Sequence, residues 1–175
     1  MLQLIDTWLP IVFSVVWIHT TLSLVALFAG FVVIGDLLKS NPPDVWTPTF
    51  LVSSIATSAT GFAFLPITKI LPSHVVGAIS LLVLLIALIA AYGFHNRGPW
   101  RAVYAVSLVV AQFFNVFVAI AQAFAKVPQL KALAPTQSEP PFAIAEGVAL
   151  VAFIAIAVLA ARSYRYEPMM MKKAA

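Results

Sequence analysis

Residues 101–126 read RAVYAVSLVVAQFFNVFVAIAQAFAK. Basic residues, Arg101 and Lys126, stand at both ends, and the interior carries no charge. That interior is longer than the roughly 20 apolar residues that take an α-helix across the hydrocarbon core of a bilayer. Gln112, Asn115, Ala119 and Gln122 recur at spacings of 3, 4 and 3. At helical pitch they share an arc of roughly 80°. Val, Phe, Leu and Ile cover the rest of the surface. A helix of this kind turns its apolar sides to lipid and its amides toward other helices. The stretch therefore predicts an all-α, polytopic transmembrane helical bundle built around this segment.

Composition agrees with that reading. The chain has 175 residues, of which 62% are hydrophobic and 9% charged, with a mean hydropathy of +1.03. A soluble domain carries about 25% charged residues, and this chain has too little polar surface to cover a soluble core. The net charge of +4 does not point to nucleic acid, because the basic residues lie in short loops and near the C-terminus, where they set membrane orientation. The lack of cysteine removes disulfides, thiolate metal sites and cysteine nucleophiles. The N-terminal region has no basic leader, carries Asp6 and runs into a hydrophobic stretch too long for a signal peptide, so the first segment is expected to be retained.

Outward from residues 101–126, four further spans are expected, at about 8–38, 46–65, 73–94 and 141–161. Pro10 suits the start of the first, since its missing N–H costs nothing there. The second is rich in Ser53, Ser54, Thr57, Ser58, Thr60 and Gly61, which read as a close-packing face or a hydroxyl-lined cavity. Ser73 is a plausible N-cap for the third, whose middle, LLVLLIALIAA, looks lipid-facing all round. Asn96-Arg97-Gly98-Pro99 reads as a tight turn. Residues 127–140 form the longest loop, and residues 162–175 a basic tail. With five spans, Lys69, Lys126 and Lys131 fall on the N-terminal side. Lys39, Arg97, Arg101, Arg162, Arg165, Lys172 and Lys173 fall on the other, a bias of 3 against 7. The C-terminus is then cytoplasmic and the N-terminus outside, with 127–140 as an outer loop.

On that topology His19, His74, Gln122 and Glu146, from four spans, lie in the outer half of the membrane, with Asn115 near mid-depth. Ionisable groups in spans are costly and usually face an interior or a wet cavity. Gln112, Thr57 and Thr60 complete the candidate polar cluster. One reading is structural, with His19 and Glu146 satisfying each other or the backbone. A second is redox: His19 and His74 as axial ligands of a haem b between helices. A third is binding or transport of a small molecule, a proton or a quinone, with transport requiring a homo-oligomer. A metal site of His19, His74 and Glu146 is a variant of the third. His95 reads as interfacial. Hydrolytic motifs such as HExxH, GxSxG or a phosphate-binding glycine loop are absent from the sequence, which points away from an enzyme. Taken together, these residues predict an accessory subunit or a small-ligand-binding bundle, in contact with lipid and with either a larger membrane complex or a second copy.

The pieces TGFAFLP (60–66), LPSHVVGAISL (71–81), GPWRAVY (98–104), FFNVFVAIAQAFAKVP (113–128) and ALAPTQSEPPF (132–142) together resemble a family of small, uncharacterised bacterial inner-membrane proteins. The resemblance covers about residues 60–162. It implies a multi-pass helical fold in the bacterial inner (plasma) membrane and brings no activity, cofactor or catalytic residue. The histidine followed by a Leu/Ala run in segment one is also similar to small membrane families with intramembrane histidines, some linked to haem or oxidase assembly. No residue role is carried over from that similarity.

Overall fold

The computed structural model describes residues 2–62 and 72–165, with side chains for 14–62 and 73–165. Over these residues the chain is helical, without a strand. The helices are α1 (Leu2–Lys39), α2 (Trp46–Gly61), α3 (Pro72–Leu88, continued by a π-helical turn Ile89–Gly93), α4 (Trp100–Lys126), α5 (Pro128–Leu133) and α6 (Pro140–Ser163). Among the described residues, four segments are long and apolar enough to cross a membrane: Ser14–Lys39, Ser73–Gly93, Trp100–Lys126 and Pro140–Ser163. The chain is a helical bundle of the membrane type. Helix α2 has 16 residues, about 24 Å at helical rise, and residues 63–65 of the expected second span lie outside the described residues.

Side-chain contacts fix the directions of the helices. His19 meets Thr60, and Phe28 meets Trp46, so α1 and α2 are antiparallel. Phe124 packs on Phe142, and Phe113 on Phe153, so α4 and α6 are antiparallel. At the far end of α6 the Arg165 N–H donates to Ser40 Oγ at 2.7 Å, and Arg101 Nη1 donates to the Arg165 carbonyl at 3.3 Å. The C-terminal ends of α1 and α6 thus meet beside the start of α4. Lys39, Arg97, Arg101, Arg162 and Arg165 gather at this end, whereas Lys126 and Lys131 lie at the other. Lys69, Lys172 and Lys173 are outside the described residues.

The core forms where inward stripes of α1, α2, α3, α4 and α6 meet, through Ala29, Val33, Phe50, Leu84, Ala87, Leu108, Val109, Phe153 and Ala160. The perimeter is apolar and exposed, with Phe28, Phe31, Leu82, Leu85, Val148, Val151 and Leu159 among its residues. In water such a surface would aggregate; against acyl chains it is the expected exterior.

Several local features differ from expectation. Helix α1 begins at Leu2 and passes through Pro10, so Pro10 is not its start; a proline inside a helix removes one backbone bond and leaves the turns around it able to continue. Ser73 is the second residue of α3 rather than its cap. The middle of α3 is not lipid-facing all round, because Ser80, Leu84, Ala87 and Ala90 are buried. Small residues there let α3 approach α4 closely. The 127–140 loop contains a short helix, α5, opened by Pro128 at its first position, where the missing N–H would have no partner anyway.

Candidate functional site

The polar arc of α4 becomes a closed network. Gln112 is fully buried, and its Nε2 donates to the Leu27 carbonyl of α1 at 2.8 Å. Asn115 Nδ2 donates to Gln112 Oε1 at 3.2 Å and to Ser54 Oγ of α2 at 3.1 Å. The amide of Gln112 lies against Gly30, in space that a side chain at that position would fill, with the Phe50 ring beside it. This network ties α1, α2 and α4 together. Two of its bonds, Gln112 to Leu27 and Asn115 to Ser54, cross to another helix, and the third joins Asn115 to Gln112 within α4, so its role is cohesion.

Gln122 was expected on the same inward arc but is exposed. The reason is the end of α2. Asn115 pairs with Ser54, and α2 and α4 run in the same sense, so Gln122 is level with Gly61, the last residue of α2.

The hydroxyls of α2 mostly bond to their own helix. Thr49 Oγ1 donates to the Val45 carbonyl, Ser53 Oγ to that of Thr49, and Thr60 Oγ1 to that of Ala56 at 2.7 Å. Such back-bonding is how serine and threonine hide a hydroxyl in an apolar medium. Thr57 is different: its Oγ1 is shielded and has no hydrogen-bond partner among the described residues.

His19 Nδ1 lies 2.9 Å from Thr60 Oγ1. Because the single hydroxyl hydrogen of Thr60 is directed to the Ala56 carbonyl, Nδ1 carries the proton and donates. His74 stacks on Phe62, with ring centroids 5.6 Å apart and planes 10° from parallel. Both histidines therefore sit at the C-terminal end of α2, His19 against Thr60 and His74 against Phe62, the residue that follows the helix. His95, with φ +53°, is exposed in the turn before α4.

Glu146 does not pair with His19. Both its carboxylate oxygens are shielded from solvent and have no hydrogen-bond partner among the described residues. Phe142, Glu146, Ala149, Phe153 and Ala160 recur at helical spacing on the side of α6 that meets α4. The Phe124–Phe142 and Phe113–Phe153 contacts set a register in which Glu146 faces Ile120. Residues 113, 117, 120 and 124 of α4 form the opposing stripe, and it is wholly apolar. His19, His74 and Glu146 do not form a three-ligand metal group. Among the described residues, no cluster of three or more His, Asp or Glu residues is placed to hold an ion.

The loop at residues 127–140 is tied down from two sides. Gln137, with φ +58°, donates through Nε2 to the Ala121 carbonyl of α4 at 2.6 Å. Glu139 accepts from the Thr136 N–H, the Thr136 hydroxyl and the Ser138 N–H. Partial desolvation raises the Glu139 carboxyl. The Thr136 hydroxyl and the backbone donors of Glu139, Thr136 and Ser138 outweigh that effect and hold it below the ordinary carboxylate range.

No protein-family model, curated protein or solved structure matches this chain. The functional reading therefore rests on the chain's own residues, and among the described ones Glu146 is an ionisable group in a span whose shielded oxygens have no hydrogen-bond partner.

Proposed function

We propose that this is a non-enzymatic, five-span bundle of the bacterial inner membrane that binds a small ligand in its outer half, at Glu146. Its N-terminus is outside and its C-terminus cytoplasmic. The observation that carries this reading is the shielded, unpartnered carboxylate of Glu146. A buried charge without a partner is strongly destabilising, far more so than a lone hydroxyl such as that of Thr57. A carboxyl kept at such a cost is the expected mark of binding. The gathering of Lys39, Arg97, Arg101, Arg162 and Arg165 at one end supports the orientation. The resemblance of residues 60–162 to bacterial inner-membrane proteins supports the compartment.

Thermal unfolding of the purified protein and of Glu146→Gln tests the binding reading against protons, inorganic cations and quinone analogues. A ligand that binds only the native state raises its stability. At least one addition should stabilise the wild type and not the variant; an identical response to every addition overturns the reading. The cysteine-free chain also allows single cysteines at Thr136 and Arg97 to report orientation, with an impermeant maleimide reaching Thr136→Cys from outside and Arg97→Cys only after lysis.

An accessory-subunit role is favoured by a different feature. The outer face of α6 carries a shallow apolar groove lined by Ile144, Gly147, Val148, Val151 and Ala152. A Cβ placed on Gly147 would meet no other atom, so another helix could approach closely there. Copurification of a stable partner, lost on Gly147→Leu, would support this role.

A further inference from the structure

We propose that Glu146 is a proton-binding site within the membrane, holding its carboxyl as the neutral acid and exchanging that proton. This rests on the small-ligand reading and names the ligand. A carboxylate withdrawn from water has three ways to avoid its desolvation cost: an ion pair, a metal ion or a proton. The first requires a cationic donor at the oxygens, and none bonds to them among the described residues. The second requires several ligands. Mg2+ and Ca2+ take about six or more oxygens, and α4 offers Phe113, Phe117, Ile120 and Phe124 on the opposing stripe. The third requires nothing but the carboxyl itself: one O–H bond forms and the charge disappears.

The charged and titratable residues on the two helices packed against α6 leave that conclusion in place. On α4 they are Arg101 and Tyr104 near one end and Lys126 at the other. On α1 they are Asp6, His19, Asp36 and Lys39. Tyr104 packs on Tyr164, two turns or more beyond Phe153. Arg101 is engaged at the Arg165 carbonyl, and His19 is bonded to Thr60. Asp36 accepts from Asn41 Nδ2 at the end of α1. Lys126 is exposed at the loop end of α4, more than a turn beyond the level of Ile120.

Carbodiimide labelling of the wild-type protein in membrane vesicles provides the test. The acid gives its proton to a carbodiimide nitrogen, and the carboxylate oxygen adds to the central carbon. The adduct then rearranges to a stable N-acylurea that mass spectrometry locates. Dicyclohexylcarbodiimide, which enters apolar regions, should modify Glu146 in preference to Asp44 and Glu139, and the modification should decline as pH rises. A water-soluble carbodiimide should show the opposite preference. Infrared spectra should contain a protonated-acid carbonyl band in the wild type that Glu146→Gln removes. Glu146 labelled no faster than Asp44 by the apolar reagent, or an infrared spectrum showing it ionised at neutral pH, overturns the proposal. If a different ligand still stabilises the wild type alone in the unfolding experiment, only the identity of the ligand falls; if no addition does, the binding reading falls with it.

Discussion

The amide of Gln112 occupies the space that a side chain at Gly30 would need, and from there it reaches the Leu27 carbonyl. Two helices meet here at backbone distance because one lacks a Cβ and the other supplies a donor long enough to use the gap. Gly30→Ala sets two effects against each other. Alanine improves helix propensity by about 1 kcal/mol, while overpacking a tight contact costs about 1–3 kcal/mol. Because both Gln112 and the Phe50 ring are in the way, the second effect wins. The variant should melt at a lower temperature than the wild type, and Gly30→Ala combined with Gln112→Ala should lose less than the sum of the two single changes.

Asn115 uses its Nδ2 twice, toward Gln112 Oε1 and toward Ser54 Oγ. Asn115→Ala removes one interhelical bond, to Ser54, worth about 0.6 kcal/mol on average in a membrane protein, together with one bond inside α4, to Gln112. Asn115→Asp places an acceptor where a donor is required and adds a charge. Unfolding titrations in detergent should rank the aspartate variant as clearly less stable than the alanine variant. The reverse order would mean that the amide is not the donor in this network.

The His19–Thr60 bond predicts a coupled pair. Thr60→Val and His19→Leu should each weaken the bundle, and the double variant should lose about 1 kcal/mol less than the two separate losses combined. Strict additivity in that double-mutant cycle would show that the contact carries no energy.

Glu139 gives the 127–140 loop its pH dependence. Its carboxyl is held below the ordinary range in the folded protein. The stability it lends is therefore present above the unfolded carboxylate pKa and is lost as pH falls through the lower, folded value. Amide exchange at Thr136 and Ser138 should accelerate in acid relative to exchange in the amide-linked core of α4. Glu139→Gln should show that acceleration at neutral pH without lowering the melting temperature of the bundle.

The ends of α4 and α6 were readable from sequence because charge and proline stand at their boundaries: Arg101 and Lys126, then Pro140, Pro141 and Arg162. The inner face of α3 was not. Leu84 and Ala87 point inward while Leu82 and Leu85 point outward, and in a membrane both sides are apolar, so the pattern carries no contrast. The amides of α4 announced a packing face, and Gln112 and Asn115 confirmed it. Gln122 has the same chemistry and the same angular position, but it lies level with Gly61, the last residue of α2, and is exposed. Glycine at position 30 acquires meaning only beside Gln112, 82 positions later in the chain. Glu146 stood out as a lone carboxylate in a span. Its pairing with His19 was the economical guess from depth alone, but the side that α6 turns to α4 follows from the Phe113–Phe153 and Phe124–Phe142 contacts, which no spacing within α6 reveals.

The clasp between Ser40 and Arg165 joins the exit of α1 to the exit of α6. Because a ribosome delivers α6 after α1 and α4, the groove between those two helices that it seals stays open while they are already in the bilayer. During that interval lipid tails line the unfinished seam, and the arrival of α6 must sweep them out as it zips down the phenylalanine row of α4. A chain released before Arg165 would thus be inserted but unsealed, with its earliest helix still waiting for its final neighbour.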